Sequence, residues 1–182
     1  MSDQQIGKKE EERIRLHYFL DAYEEITGEE LSIVANGERP DFICKRIDGL
    51  NMGVELTKVT RDPGSAVCDR ILNRREYMDP FEALDRIYMA IERKNEQRAK
   101  GDWLFSDDTI LVIQLMDCTL SGLEICLGQS LQGDFADTEF TEIWIADYTE
   151  VDIYRFIELF GLHPLKWWGY YPRPDFFRKP YG

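Results

Sequence analysis

The chain has 182 residues, 43% apolar and 13% aromatic, enough to bury a core as one domain without disulfides or metal staples. That composition excludes intrinsic disorder, and no apolar run is long enough to span a bilayer. The opening MSDQQIGKKEEE lacks the apolar stretch of a signal peptide, so a soluble cytoplasmic protein with no membrane partner is expected.

The net charge of −13 argues against a general nucleic-acid coat protein, whose binding rests on phosphate attraction. The charge is uneven: residues 1–38 carry −6, 39–100 carry +2, 101–163 carry −12 and 164–182 carry +3. If the second and last blocks shared a face, a modest basic surface would coexist with an acidic back. Otherwise the acidity serves solubility. Cys44, Cys68, Cys118 and Cys126 form no C-x-x-C pair, and only His17 and His163 could join them. Four buried free thiols are expected rather than a zinc site.

In chain order, residues 8–27 read as a helix. Ile14, Tyr18, Ala22 and Ile26 recur near helical spacing, Leu16, Phe19 and Tyr23 widen the face, and Gly28 ends it. LSIVAN (31–36) is a short strand. PDFICKRI (40–47) and GVELTKV (53–59) flank a Gly/Asn turn and predict a hairpin. A loop with Ser65 as an N-cap leads to a short basic helix reaching about Tyr77. The strongest helix is 80–100, with Asp79 as cap, Pro80 at its first position, and Phe81, Leu84, Tyr88 and Ile91 as a stripe. TILVIQLM (109–116) and EIWIADY (142–148) are buried strands. Residues 151–160 read as a helix closing at Gly161, and the aromatic tail KWWGYYPRPDFF packs as strand or ordered loop. The whole predicts an α/β domain over 1–182, with a core at about 8–116 and a C-terminal β/α and aromatic extension at 117–182.

Within the hairpin, Asp41 stands at the mouth of one strand and Glu55 lies in the next. Glu55 and Thr57, two apart on a strand, share a face, and Lys58 points the other way. Two carboxylates so placed suit a hard divalent cation, which takes one or two carboxylates plus waters and phosphate oxygens, with the Leu56 carbonyl as a further oxygen. A common face requires an odd-length or bulged turn near Gly49, with Asp41 facing Thr57 and Ile43 facing Glu55.

The run RPDFICKRIDGLNMGVELTKVT resembles the PD-(D/E)XK motif of the restriction-endonuclease-like nuclease superfamily. Pro40-Asp41 matches the PD half and Glu55-Leu56-Thr57 the second half, except that Thr57 stands where the family has lysine. The resemblance implies an αβββαβ core and Mg²⁺- or Mn²⁺-dependent phosphodiester hydrolysis of nucleic acid, with Asp41 and Glu55 on the metal. Some members supply the lysine from the crossover helix. Lys94, at spacings of 4 and 3 from Ile87 and Ile91, flanks that helix's inward stripe and is the preferred replacement. Lys45 shares Asp41's face but lies roughly 13 Å along the strand. Several branches complete the metal site with a first-helix glutamate. Glu12 falls in the apolar sector of the first helix and fills that role, with Glu25 as runner-up.

The missing lysine and the acidity sustain a second reading. A catalytically inactive nuclease-like protein would bind a protein partner, or a second copy of itself, through the acidic block or the aromatic tail. Asn95 and Arg98 either contact phosphate or finish their helix. Arg70, Arg74 and Arg75 cluster on the short basic helix and make either a phosphate-contacting face or, with Asp69 and Glu76 flanking them, a mixed, solvated surface. Trp167, Trp168, Tyr170, Tyr171, Phe176 and Phe177 are expected in core or seam rather than stacking bases. His163 is expected to make a local helix cap, and Pro174-Asp175 is a coincidental second PD dipeptide.

Overall fold

The computed structural model describes residues 3–61, 77–101, 103 and 108–174. Its centre is a seven-stranded mixed sheet whose strands lie side by side in chain order. The strands are β1 (Leu31–Asn36), β2 (Phe42–Arg46), β3 (Asn51–Val59), β4 (Thr109–Leu115), β5 (Glu142–Asp147), β6 (Glu158–His163) and β7 (Gly169–Tyr171). β1 to β3 form an antiparallel meander, β3 to β5 run parallel, and β5 to β7 are antiparallel again.

Four helices accompany the sheet among the described residues: α1 (Asp3–Thr27), α2 (Pro80–Ala99), and the single turns α3 (Leu120–Leu123) and α4 (Val151–Tyr154). α1 ends at Gly28, whose φ of +73° is the left-handed conformation glycine adopts without strain. Asp79 caps α2 by accepting from the backbone N–H groups of Phe81 and Glu82, and Pro80 opens it.

The two long helices cover opposite faces. α1 buries Leu16, Phe19, Leu20, Ala22 and Tyr23 against Phe42, Met52, Val54, Val112 and Trp144. On the other face α2 lays Ala83, Ile87, Ala90 and Ile91 over Val59, Leu111, Ile113 and Ile145. The central strands are therefore buried on both sides, which explains their continuous apolar runs. Ile14, placed in the buried stripe of the first helix by its spacing, is half exposed; the stripe centres on Leu16, Phe19 and Tyr23.

The predicted helix 151–160 is corrected. Arg155 turns left-handed at φ 56°, stopping α4 after one turn, and Glu158–His163 continues as β6. The residue run there is apolar to both sides: Leu159 joins the α1 face, Phe160 and Leu162 the α2 face. A helix would expose one of those sets; a strand between two layers buries both. His163 accordingly ends a strand and pairs with Ile143, so it caps no helix.

Other expectations are also adjusted. Cys44 and Cys118 are buried free thiols, with burial pushing both up to about 12, but Cys126 is only half buried. The basic segment with Cys68, Arg70, Arg74 and Arg75 lies outside the described residues, as do Asp175, Phe176 and Phe177. Among the described residues no helix is long and apolar enough to cross a membrane.

Candidate active site

β2 and β3 pair with Phe42 opposite Val54, Ile43 opposite Gly53 and Lys45 opposite Asn51. Continued one step, that register puts Asp41 opposite Glu55 rather than Thr57. The expected pairing was two residues out, which keeps the side-chain face unchanged. Arg46 N–H donates to Leu50 O, leaving an odd connection of Ile47, Asp48 and Gly49, with Gly49 at φ +88°.

Glycines position the mouth of the hairpin. A Cβ on Gly53 would stand 2.9 Å from the Pro40 ring and 2.9 Å from the Thr109 hydroxyl. A Cβ on Gly37 would meet the Pro40 carbonyl oxygen at 2.3 Å. Bare backbone at both points lets Pro40 fold inward onto β3 and delivers Asp41 to its edge.

There the two carboxylates are bound into one hydrogen-bonded unit. Asp41 N–H donates to Glu55 Oε2 over 3.1 Å, and Leu56 N–H donates to Asp41 Oδ2 over 2.9 Å. From α2 the Lys94 ammonium closes on Glu55 Oε1. Glu55 is nearly sealed, its side chain 3% exposed, while Lys94 retains 15%. Burial raises the Glu55 pKa, Asp41's charge adds to the rise, and Lys94 opposes it. Burial likewise raises Asp41, against the Leu56 N–H and the Lys9 charge.

Lys9 was not anticipated. Its ammonium lies 3.1 Å from Glu12 Oε2, 3.2 Å from Gly37 O and 3.5 Å from Asp41 Oδ1, and over the Phe42 ring at 5.5 Å. Burial works to lower its pKa, but the hydrogen bonds and charges of Glu12 and Asp41 outweigh this and hold it above the ordinary value. Glu12, 14% exposed, therefore faces the pair through Lys9, with Lys8 also 3.7 Å from it. Among the described residues no group of three or more His, Cys, Asp or Glu side chains converges as a metal cage. Glu25 is exposed on α1, and Lys45 is exposed on β2.

Thr57 has a cation of its own. Arg93 Nη2, one residue before Lys94 on α2, donates to Thr57 Oγ1 over 3.3 Å. The signal was present in the sequence: residues 93 and 94 are adjacent bases beside the inward stripe, and both reach β3. The Lys58 side chain, on the opposite face of the strand from Thr57, has its pKa lowered by burial and by the neighbouring Arg15 charge.

The remaining described candidates make contacts within the fold. Asn95 Oδ1 accepts from Thr138 Oγ1 and from Glu139 N–H, and the Arg98 guanidinium lies over Trp103 and Phe140. Trp167 and Tyr171 pack on Trp144, and Trp168 on Phe160. Arg173 pairs with Glu150 and Glu158, and Lys166 lies over Trp167, so these last-block bases serve the far end of the sheet instead of sharing a face with the second block. Comparisons of the chain with models of known protein families, with curated proteins and with solved structures found no match in any of the three.

Proposed function

We propose that this chain is a metal-dependent phosphodiesterase acting on nucleic acid, built on the restriction-endonuclease-like plan. The observation that carries the reading is the convergence of Asp41, Glu55 and the Lys94 ammonium at one edge of β3. The chain order α1, β1, β2, β3, α2, β4 supports it as well.

Asp41 and Glu55, with the Leu56 carbonyl, would hold Mg²⁺ or Mn²⁺. The donor chemistry fits in kind: Glu12, the Gly37 carbonyl and Asp41 already turn three oxygens to the Lys9 ammonium, and two carboxylates satisfy a cation that keeps most of its waters. When bound, such an ion supplies charge for the phosphate and an acidified water. Lys94 opposes the rise that burial gives the Glu55 pKa and orients its carboxylate, and its remaining N–H groups would hold the attacking water. Arg93, braced by Thr57, adds a second positive group from α2 to the same face of β3.

A catalytically inactive descendant is the second reading. It is favoured by one observation: each of the four Asp41 and Glu55 carboxylate oxygens already has a donor, from Lys9, Leu56, Lys94 or Asp41 itself. The deciding assay incubates mixed DNA and RNA with Mg²⁺ or Mn²⁺, comparing the parent with Glu55→Gln. Cleavage by the parent alone supports the enzyme. Equal cleavage by both assigns Glu55 a structural role, and none by either favours the inactive protein.

A further inference from the structure

Beyond Val54, β3 has no strand partner on the β2 side among the described residues. Along the gap, α2 runs antiparallel to the strand. Lys94 meets Glu55, Arg93 meets Thr57, and Arg86 Nη1 donates to Thr60 O over 3.0 Å. Five residues of strand, roughly 16 Å, separate the first rung from the last.

The outer part of this gap is a cleft of about 200 Å³. Its charged lining is Lys58, Arg86 and Arg93, with no carboxylate, and Met89 and Ala90 give it an apolar wall. In a chain of net charge −13, that concentration of one sign is the opposite of the average surface. Lys58 and Arg93 make no ion pair among the described residues, and both are exposed. Arg86 is fixed instead: Glu82 Oε1 accepts from its Nε at 3.1 Å and its Nη2 at 2.8 Å. One braced guanidinium and two bases without ion-pair partners, in a concave site whose lining begins three residues along β3 from Glu55, describe a seat for anions.

We propose that this cleft binds the backbone phosphates of a nucleic-acid strand next to the phosphate held at Asp41 and Glu55, with Lys58 and Arg93 as its contacts. The identity of the ligand rests on the proposed function; the anion seat rests on the cleft. Lys58 and Arg93 line the cleft from two elements: Arg93 from the helix on the Thr57 face, and Lys58 from the opposite face of the strand, where the charges of Arg15, Glu11, Glu12 and Lys8 on α1 also act on it. A strand lying in the cleft would meet both, and the apolar wall leaves room for sugar. Recognition of this kind is independent of base sequence and is strongly weakened by salt.

The test measures binding of labelled single-stranded DNA and RNA oligonucleotides to the full chain by fluorescence anisotropy, in chelator so that no cleavage intervenes, across a salt series. Lys58→Ala and Arg93→Ala are each expected to weaken binding about tenfold and to lower the salt slope by about one. Arg93→Lys should retain the slope, and Lys45→Ala, at an exposed position on β2, should bind like the parent. Inorganic phosphate is the second arm, and it should displace the strand only at concentrations far above that of the oligonucleotide.

Unchanged affinity and slope in both alanine variants would overturn the proposal. So would inorganic phosphate binding that the variants abolish while strand binding persists, because the cleft would then be a small-anion seat. Strand binding that depends on Lys58 and Arg93, with no cleavage under any metal, would support the cleft while overturning the hydrolytic reading.

Discussion

The Arg93 guanidinium donates to the Thr57 hydroxyl across 3.3 Å, so a cation from α2 stands beside the strand position where the motif lysine is missing. With Lys94 one residue along, the helix supplies two positive groups to a strand face that carries none of its own. On the proposed reading, positive charge that the resemblance would place at position 57 is supplied from α2.

That relocation is testable by reversal. In a Lys94→Ala background, Thr57→Lys should put an ammonium back on the Glu55 face. Cleavage is expected to recover at least tenfold over Lys94→Ala alone. Recovery below twofold would mean that position 57 cannot serve the pair, and that Lys94 acts through its helix geometry.

Lys94→Ala itself should cut cleavage on the order of 10²-fold, in line with loss of one preorganised electrostatic group. It should also destabilise the fold. An edge-packed lysine would matter by well under ~1 kcal/mol, but Lys94 neutralises a carboxylate that is 3% exposed. Breaking a fully buried pair costs about 3–5 kcal/mol, so about 2 kcal/mol is expected for this partly exposed one. Thermal melting at pH 7 measures it, and a drop in Tm too small to detect would show that Glu55 takes up a proton instead.

Glu55→Gln removes a buried charge whose pKa is raised, first by burial and then by Asp41. A carboxylate with a raised folded pKa binds protons more tightly in the native than in the unfolded chain. Its contribution to stability therefore grows as pH falls from neutral through the folded pKa, levelling off below the ordinary value of 4.5. Glu55→Gln should accordingly melt at the same temperature as the parent or higher at pH 7, with a shallower rise in Tm on acidification. A variant that melts lower at pH 7, with an unaltered pH slope, would show the carboxylate stabilises its site.

Lys9 holds the position that a divalent cation beside Asp41 would contest. Lys9→Met should raise Mn²⁺ affinity about tenfold or more by calorimetry, while Lys8→Met, whose side chain is 73% exposed and pairs with Glu12, should change it less than threefold. Equal effects would reduce Lys9 to general electrostatics. Loss of all Mn²⁺ binding in Asp41→Asn is the accompanying control.

Gly53→Ala tests the scaffold. Its Cβ would lie 2.9 Å from both the Pro40 ring and the Thr109 hydroxyl. Overpacking of this kind costs about 1–3 kcal/mol. Activity should fall further than the stability loss explains, because the displaced neighbour precedes Asp41. Full cleavage in a destabilised variant would separate the packing from the site.

Periodicity made α1, the β2–β3 hairpin, α2, β4 and β5 readable, because each has a strong apolar pattern and a turn or capping residue at its ends. It failed at β6. The spacing of Ile153, Ile157 and Phe160 continues a helical stripe, and nothing in the residues announces that Arg155 turns left-handed. The short apolar run Leu159-Phe160-Gly161-Leu162 was the available contrary sign. In the site, Asp41, Glu55 and Lys94 were legible from motif and spacing. Lys9 was not, because its partners come from a loop and a strand mouth whose distance from α1 is a tertiary fact. Glu12 was legible as a buried acid, but its counter-ion was hidden for the same reason.

β2 begins at Phe42 while β3 runs on to Val59, and in the space left Asp41 borrows the role of a missing strand. Its carboxylate accepts the Leu56 N–H that a neighbouring carbonyl would take, and its own N–H goes to a side chain instead of a backbone. The slot exists only because the ladder stops there. A few more residues of β2 pairing would mend the sheet and take the Leu56 N–H away from Asp41. Continuity of the sheet and access to the carboxylates are thus mutually exclusive at this edge. A chain under selection for stability alone would be drawn towards closing it.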